Sequence, residues 1–148
     1  MTTTGETNLS ALLRNMSPEL HDGAFVFANV SPAKFTQLDV SRVVCMFRES
    51  PEEITVVMRQ QDALDAGLPS APTFAWITLT VHSSLEAVGL TAAFAQALGN
   101  AGISCNVVAA YFHDHIFVPT ADASRAMEEL RALSKRHGGT GDAPTISS

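Results

Sequence analysis

The chain has 148 residues, is 46% hydrophobic and 16% charged, and carries a formal net charge of -6, which suits one compact domain or two small modules sharing a core. That acidic balance argues against binding nucleic-acid phosphates, since the one local basic cluster, "SKRH" (134–137), reads as a solvated helix end, and no run approaches the ~20 apolar residues of a membrane span. So little charge in so short a chain implies large sheet faces, or an oligomer interface, to bury.

In chain order, "MTTTGETNLS" has neither a basic region nor a long apolar core, so it does not read as a signal peptide. "TNLSALLRNMSP" (7–18) predicts a short helix capped by Thr7 or Asn8, with Leu9, Leu12, Leu13 and Met16 as its apolar stripe and Pro18 ending it. "GAFVFANV" (23–30) follows the turn signal Asp22-Gly23 and is rich in strand formers; "SPAKFTQLD" after it reads as a loop. "SRVVCMFRE" (41–49) and "EITVVMRQ" (53–60) flank Ser50-Pro51 as two antiparallel strands, and "QQDALDAGL" (60–68) is a short helix closed by Gly67.

"LPSAPTF" (68–74), with two prolines, is the best boundary. Beyond it "TFAWITLTV" (73–81) predicts a strand whose Trp76 belongs to the core, and "SSLEAVGLTAAFAQALGNAG" (83–102) a helix closed by Gly99 and Gly102. "ISCNVVAAYF" (103–112) and "HIFVP" (115–119) are strands joined tightly by "HDH". "TADASRAMEELRALSKRH" (120–137) is an amphipathic helix capped by Thr120, with Ala123, Met127, Leu130 and Leu133 inward. "GGTGDAPTISS" (138–148) has the composition of a disordered tail. Cys45 and Cys105 lie in strand-like runs without metal or redox spacing and are expected as buried free thiols, consistent with a cytoplasmic protein.

One internal echo organises this series. "VVCMFRESPEEITVVMRQQDAL" and "NVVAAYFHDHIFVPTADASRAMEEL" share a plan of strand, turn, strand, helix, as two copies of a β-β-α half-module would.

Within the second half, "AVGLTAAFAQALGNAGISCNVVAA" resembles an ACT domain: Gly89 stands at the strand-to-helix junction, and Ala101-Gly102-Ile103 opens the second strand. The longer string from "ITLTVHSSLEAVGLTAA" to "GISCNVVAAYFHDHIFVP" is similar to small bacterial proteins with two ACT-like modules in tandem. The fold implied is α+β: two ferredoxin-like βαββαβ modules with antiparallel sheets, packed as one compact body. Their expected bounds are 7–68 (degenerate) and 73–137. No strand follows the final helix, so the second module lacks its fourth strand in the usual place. An exchange of strands between modules would supply it, for instance with "GAFVFANV" pairing across.

The resemblance implies a regulatory module that binds a small molecule, an amino acid first of all, since relatives at the ends of aspartokinases bind amino acids through the first strand-to-helix loop. Carried over, that loop is His82, Ser83, Ser84, Leu85, Glu86, Ala87, Val88 and Gly89. With no catalytic domain attached, such a protein is not expected to be an enzyme or to need a cofactor, and any output must act on another protein. A homodimer is expected from the exposed sheet edges of such small modules.

The residues of the junction admit two roles. Ser83 and Glu86 have the S-x-x-E spacing of a capping box. Amides left over at the positive end of the helix dipole suit a carboxylate. A glycine at 89, inside the predicted helix, costs about 1 kcal/mol relative to alanine. It therefore marks either close approach of a ligand or close packing across an interface. Gly89→Val is expected to abolish binding and spare the fold. Glu86 and Asp114 are the acids available for a ligand ammonium. Asn106 offers a donor and an acceptor, or simply satisfies a strand edge. In "FHDHIF", His113 and His115 share a face of an extended chain and with His82 could begin a zinc site. The alternative is a polar turn with Asp114 at its tip, or ligand contact through that turn. No catalytic motif is present, and His82 beside Ser83 points away from it on a strand.

Overall fold

In the computed structural model, which describes residues 8–81, 84 and 86–140, the Asn8 side chain accepts the amide of Ala11 at 3.0 Å and opens helix α1 (Leu9–Asn15). Leu12, Leu13 and Met16 are buried as the apolar stripe predicts, while Leu9, assigned to the same stripe, is 37% exposed. Pro18 does more than end the helix: it begins strand β1 (Pro18–Leu20). The chain then forms two units, residues 22–75 on one hand and residues up to 21 together with those from 76 onward on the other.

In the unit of residues 22–75, β2 (Phe25–Val30) leads into α2 (Pro32–Gln37), then β3 (Val43–Ser50), β4 (Glu53–Arg59) and α3 (Gln60–Asp65). The predicted loop "SPAKFTQLD" is therefore partly helical. Ser31 accepts the Lys34 amide at 3.1 Å and Pro32 occupies the first turn, where its missing N–H costs nothing. Strand β4 pairs antiparallel with β2, from Phe25↔Arg59 to Val30↔Ile54, and with β3, from Val43↔Met58 to Ser50↔Glu53. Strand β5 (Phe74–Leu79) starts here, Phe74 pairing with Phe25. The order β3-β4-β2-β5 with two helices is a βαββαβ module. Ala28, Val30, Ile54, Val56 and Met58 form its core with Leu38, and Phe35 of α2 packs against them.

The other unit repeats the plan in permuted form. After β5 come α4 (Leu90–Asn100), β6 (Asn106–Ala109), β7 (Asp114–Pro119) and α5 (Ala123–Arg136). Strands β6 and β7 pair antiparallel from Asn106↔Phe117 to Ala109↔Asp114, and β5 lies beside β7. The fourth strand is β1, antiparallel to β5 through Pro18↔Leu79, Glu19↔Thr78 and Leu20↔Ile77. Strand exchange was expected through "GAFVFANV"; the segment that fills the place in this unit is the one before it. Ile77, Leu79, Phe94, Leu98, Ile116, Val118 and Leu130 are fully buried between sheet and helices. Helix α4 opens at Leu90, seven residues later than the apolar pattern suggests. A short 3-10 turn over Thr120–Asp122 precedes α5, so Thr120 does not cap that helix. The echoed segments are β3-β4-α3 and β6-β7-α5, the same three places in each module. The expected tail lies, from residue 141, outside the described residues. Among the described residues no helix is long and apolar enough to cross a membrane.

Candidate functional site

The junction between β5 and α4 is built on the N-terminal segment. Beyond Leu79, the amide and hydroxyl of Thr80 both donate to the Ser17 carbonyl, at 2.8 and 2.7 Å. His82, Ser83 and Leu85 lie outside the described residues, and with them the capping box and the histidine that a zinc site would need. Ser84 folds the next step on itself: its hydroxyl accepts the Glu86 amide at 3.1 Å and its carbonyl the Ala87 amide at 3.0 Å. Glu86 is exposed and Val88 is 83% exposed.

Gly89 is the helix cap rather than a mid-helix residue. Its φ of +99° is a left-handed conformation that glycine adopts without strain. A β-carbon there would stand 3.0 Å from Leu9 Cδ2, so α1 packs directly on this turn. Valine at 89 would meet both obstacles, and Gly89→Val therefore cannot separate binding from folding. The Gly89 carbonyl accepts the first helical bond, from Ala93 at 2.9 Å, and a glycine has no side chain to cap the helix. The amides of Leu90, Thr91 and Ala92 are thus left without intrahelical partners at the positive end of an 11-residue helix. The amide row of α4 lies at 90–92, just beyond the 83–89 junction expected to supply it.

Asp114 is the first residue of β7, not the tip of a turn. The turn is Ala110–His113, closed by the Ala110 amide on the His113 carbonyl at 3.0 Å, with Tyr111 and Phe112 exposed. Asp114 shares the face of Ile116 and Val118 and is 8% exposed. Burial holds its carboxyl above the usual carboxylate range, opposed by nearby His113. Thr78 lies 3.0 Å from His115, so the exit of β5 and the start of β7 are at one end of the sheet. Asp114 and the junction share that end. Asn106 does not: it is three register positions along, where its Nδ2 donates to the Phe117 carbonyl at 3.3 Å and secures the edge strand.

A polar cluster on the opposite face was not foreseen. His21 stacks on Trp76 with centroids 3.6 Å apart, and its Nε2 is 2.7 Å from the Thr78 hydroxyl. Trp76 donates its indole N–H to His115 Nδ1 at 3.0 Å, so a neutral His115 carries its proton on Nε2. Burial, then His113 and His21, hold the His115 pKa below the ordinary value. Trp76 is thus a half-buried hub on the face away from Ile77. The spacing of Trp76 with Thr78, and of His115 with Phe117, places each pair on one face; nothing local in the sequence brings in His21. The His113 and His115 rings stand 6.4 Å apart. Among the described residues no group of three His, Cys, Asp or Glu is placed to hold a metal.

Two family models described as ACT domain match the chain, one over residues 4–75 and the other over residues 73–132. A Vibrio cholerae protein of unknown function, named as a possible transport protein, is 45% identical over 85% of this chain and 95% of its own, with a TM-score of 0.73. The ligand-free regulatory subunit of aspartate kinase from Thermus thermophilus has a TM-score of 0.60 at 14% identity, covering 78% of this chain and 95% of that one. The corresponding subunit from Thermus flavus also has a TM-score of 0.60, at 15% identity over 79% and 96%. At such identities the kinase subunits share the fold. No curated protein sequence matches the chain.

Proposed function

The chain belongs to the ACT domain family, with two such domains in tandem over residues 4–132, and on that premise we propose that it is a regulatory protein that binds a free amino acid. The observation that carries this reading is the uncapped amide row of α4 at the same end of the sheet as a buried carboxylate. The amides of Leu90, Thr91 and Ala92 take the ligand carboxylate, helped by the helix dipole. Asp114 takes the ammonium, which offsets the cost of keeping an ionised carboxylate out of water. Ser84, Glu86, Ala87 and Val88 form the turn that leads into the amide row.

In this reading the protein performs no chemistry and requires no cofactor. Binding shifts an equilibrium between two arrangements of an interface, by no more than the ligand's differential affinity for them. The output passes to another protein in the cytoplasm. The interface is that of a homodimer, for which the edge strand β3 offers the exposed Phe47 and Met46. That same edge favours the second reading, a dimerisation or docking module that binds no ligand.

The deciding experiment is thermal unfolding against all twenty amino acids at millimolar concentration. A ligand at 100 times its Kd adds about 2.7 kcal/mol, a rise of several degrees in Tm for a chain of this size. One amino acid, or one chemical group of them, is expected to raise the midpoint. A flat panel would leave the docking module as the better account.

A further inference from the structure

We propose that His21, Trp76, Thr78 and His115 form a proton-operated latch that holds the N-terminal segment against strands β5 and β7, and that proton uptake by His115 releases it. His21 follows β1 and continues its register, its amide donating to the Trp76 carbonyl at 2.9 Å. Trp76 and Thr78 belong to β5 and His115 to β7. The latch requires no ligand.

The hydrogen bonds run in one direction, and the indole sets it. Trp76 can only donate, so the His115 Nδ1 that it reaches at 3.0 Å is an unprotonated acceptor. The Thr78 oxygen, also 3.0 Å from that nitrogen, must then turn its hydrogen toward it. Its lone pairs are left for His21, whose Nε2 at 2.7 Å is the donor. Thr78 is 6% exposed, so water does not readily replace either partner.

A proton on His115 breaks this chain. With hydrogen on Nδ1 the ring meets the Trp76 N–H donor to donor. His21 is different, because its Nε2–H donates to Thr78 from the neutral and the cationic ring alike. The indole loses the bond that fixes its edge, while its face carries the His21 ring at a centroid distance of 3.6 Å. A bond lost on β7 is thereby felt on the N-terminal segment.

Among the described residues of this unit, His21 faces His115 from the N-terminal segment, where Glu19 pairs with Thr78 and is exposed to water. His113 faces it from the preceding turn, with ring centroids 6.4 Å apart. Strand β6 sets uncharged Val108 opposite it, and Asp114 lies on the other face. Burial, then His113 and His21, oppose its charged form. The stability that neutral His115 contributes is therefore complete above the ordinary value of 6.5 and is lost as pH falls through the lowered one.

Trp76 is the single tryptophan of the chain, so its emission and its indole N–H resonance report on the latch directly. Both are followed in the intact protein from about pH 8 to about pH 5, with the His115 ring resonances and far-UV circular dichroism. One reversible transition is expected, with its midpoint below 6.5, shared by Trp76 and the His115 ring and without loss of secondary structure. Below the midpoint the His21 amide should exchange with solvent several-fold faster than its intrinsic rate predicts. His115→Gln, which offers the indole a carboxamide oxygen that does not titrate, is expected to abolish the transition. Trp76 signals that do not follow the His115 ring, or that titrate unchanged in His115→Gln, overturn the proposal. So does a His21 amide equally protected on both sides of the transition. Should the variant fail to fold, the wild-type resonances and exchange rates decide alone.

Discussion

At Asp114 burial and charge pull in opposite directions. Its carboxyl is raised from the ordinary value of 3.8 by burial, so the stability it contributes is complete below that value and is lost as pH rises through the raised one. Asp114→Asn removes that dependence. The variant should match wild type in stability near pH 3 and exceed it at neutral pH, measured by denaturant titration at both. If the carboxylate holds the ligand ammonium, the same change should weaken binding by about 2–5 kcal/mol, the usual effect of truncating one partner of a buried charge pair. Stability lost at neutral pH would show that Asp114 supports the fold instead. The sequence singles out Asp114 and Gly89 but not their circumstances. Asp114 looks like a turn tip because "HDH" is polar, and Gly89 looks mid-helical because apolar residues flank it on both sides. Only the left-handed φ and the contact with Leu9, eighty residues earlier in the numbering, reveal it as a cap. The tie between the junction and the N-terminal segment is less legible still, because Thr80 donates to the Ser17 carbonyl 63 residues away.

Among the elements, those with a clear local pattern are read correctly, the short helices α1 and α3 included, while α2 and β1 are missed. The strands β3, β4 and β5 carry β-branched runs, and α5 carries a clean apolar stripe, so local pattern and tertiary packing agree on them. Helix α2 has six residues and only Phe35 turned to the core. A helix that short is marginal without tertiary contacts, and Ser31-Pro32 at the start of "SPAKFTQLD" reads as loop punctuation. The sign that could have found it is Ser31-Pro32, a cap followed by a proline in the first turn. Ser31→Ala tests whether that cap matters. If α2 is held by it, the variant should lose about 1 kcal/mol, seen as a lower thermal midpoint; a true loop would tolerate the change without measurable effect.

For the whole chain, the repeat is visible in sequence because each β-β-α half-module is long enough to show its pattern twice. What closes the second module is not visible. Its fourth strand is three residues long and precedes the first module, so neither periodicity nor chain order points to it. The family match over residues 73–132 describes this module without that strand. A protein beginning at residue 22 should therefore leave β5 with an open edge along Ile77 and Leu79, both fully buried in the intact chain, and remove the α1 contacts on α4 and α5. We expect it to aggregate or to lose cooperative unfolding, as exposed apolar strand edges do. Loss alone could reflect any large truncation, so the decisive variant moves the segment. With residues 8–21 joined by a flexible linker after residue 140, β1 follows α5 as the fourth strand of an ordinary βαββαβ module. That permutant should recover a cooperative transition in circular dichroism and a monodisperse profile. If it fails while the intact chain folds, the N-terminal segment does more than complete the sheet, and its link to β2 through Asp22-Gly23 would be the next feature to test.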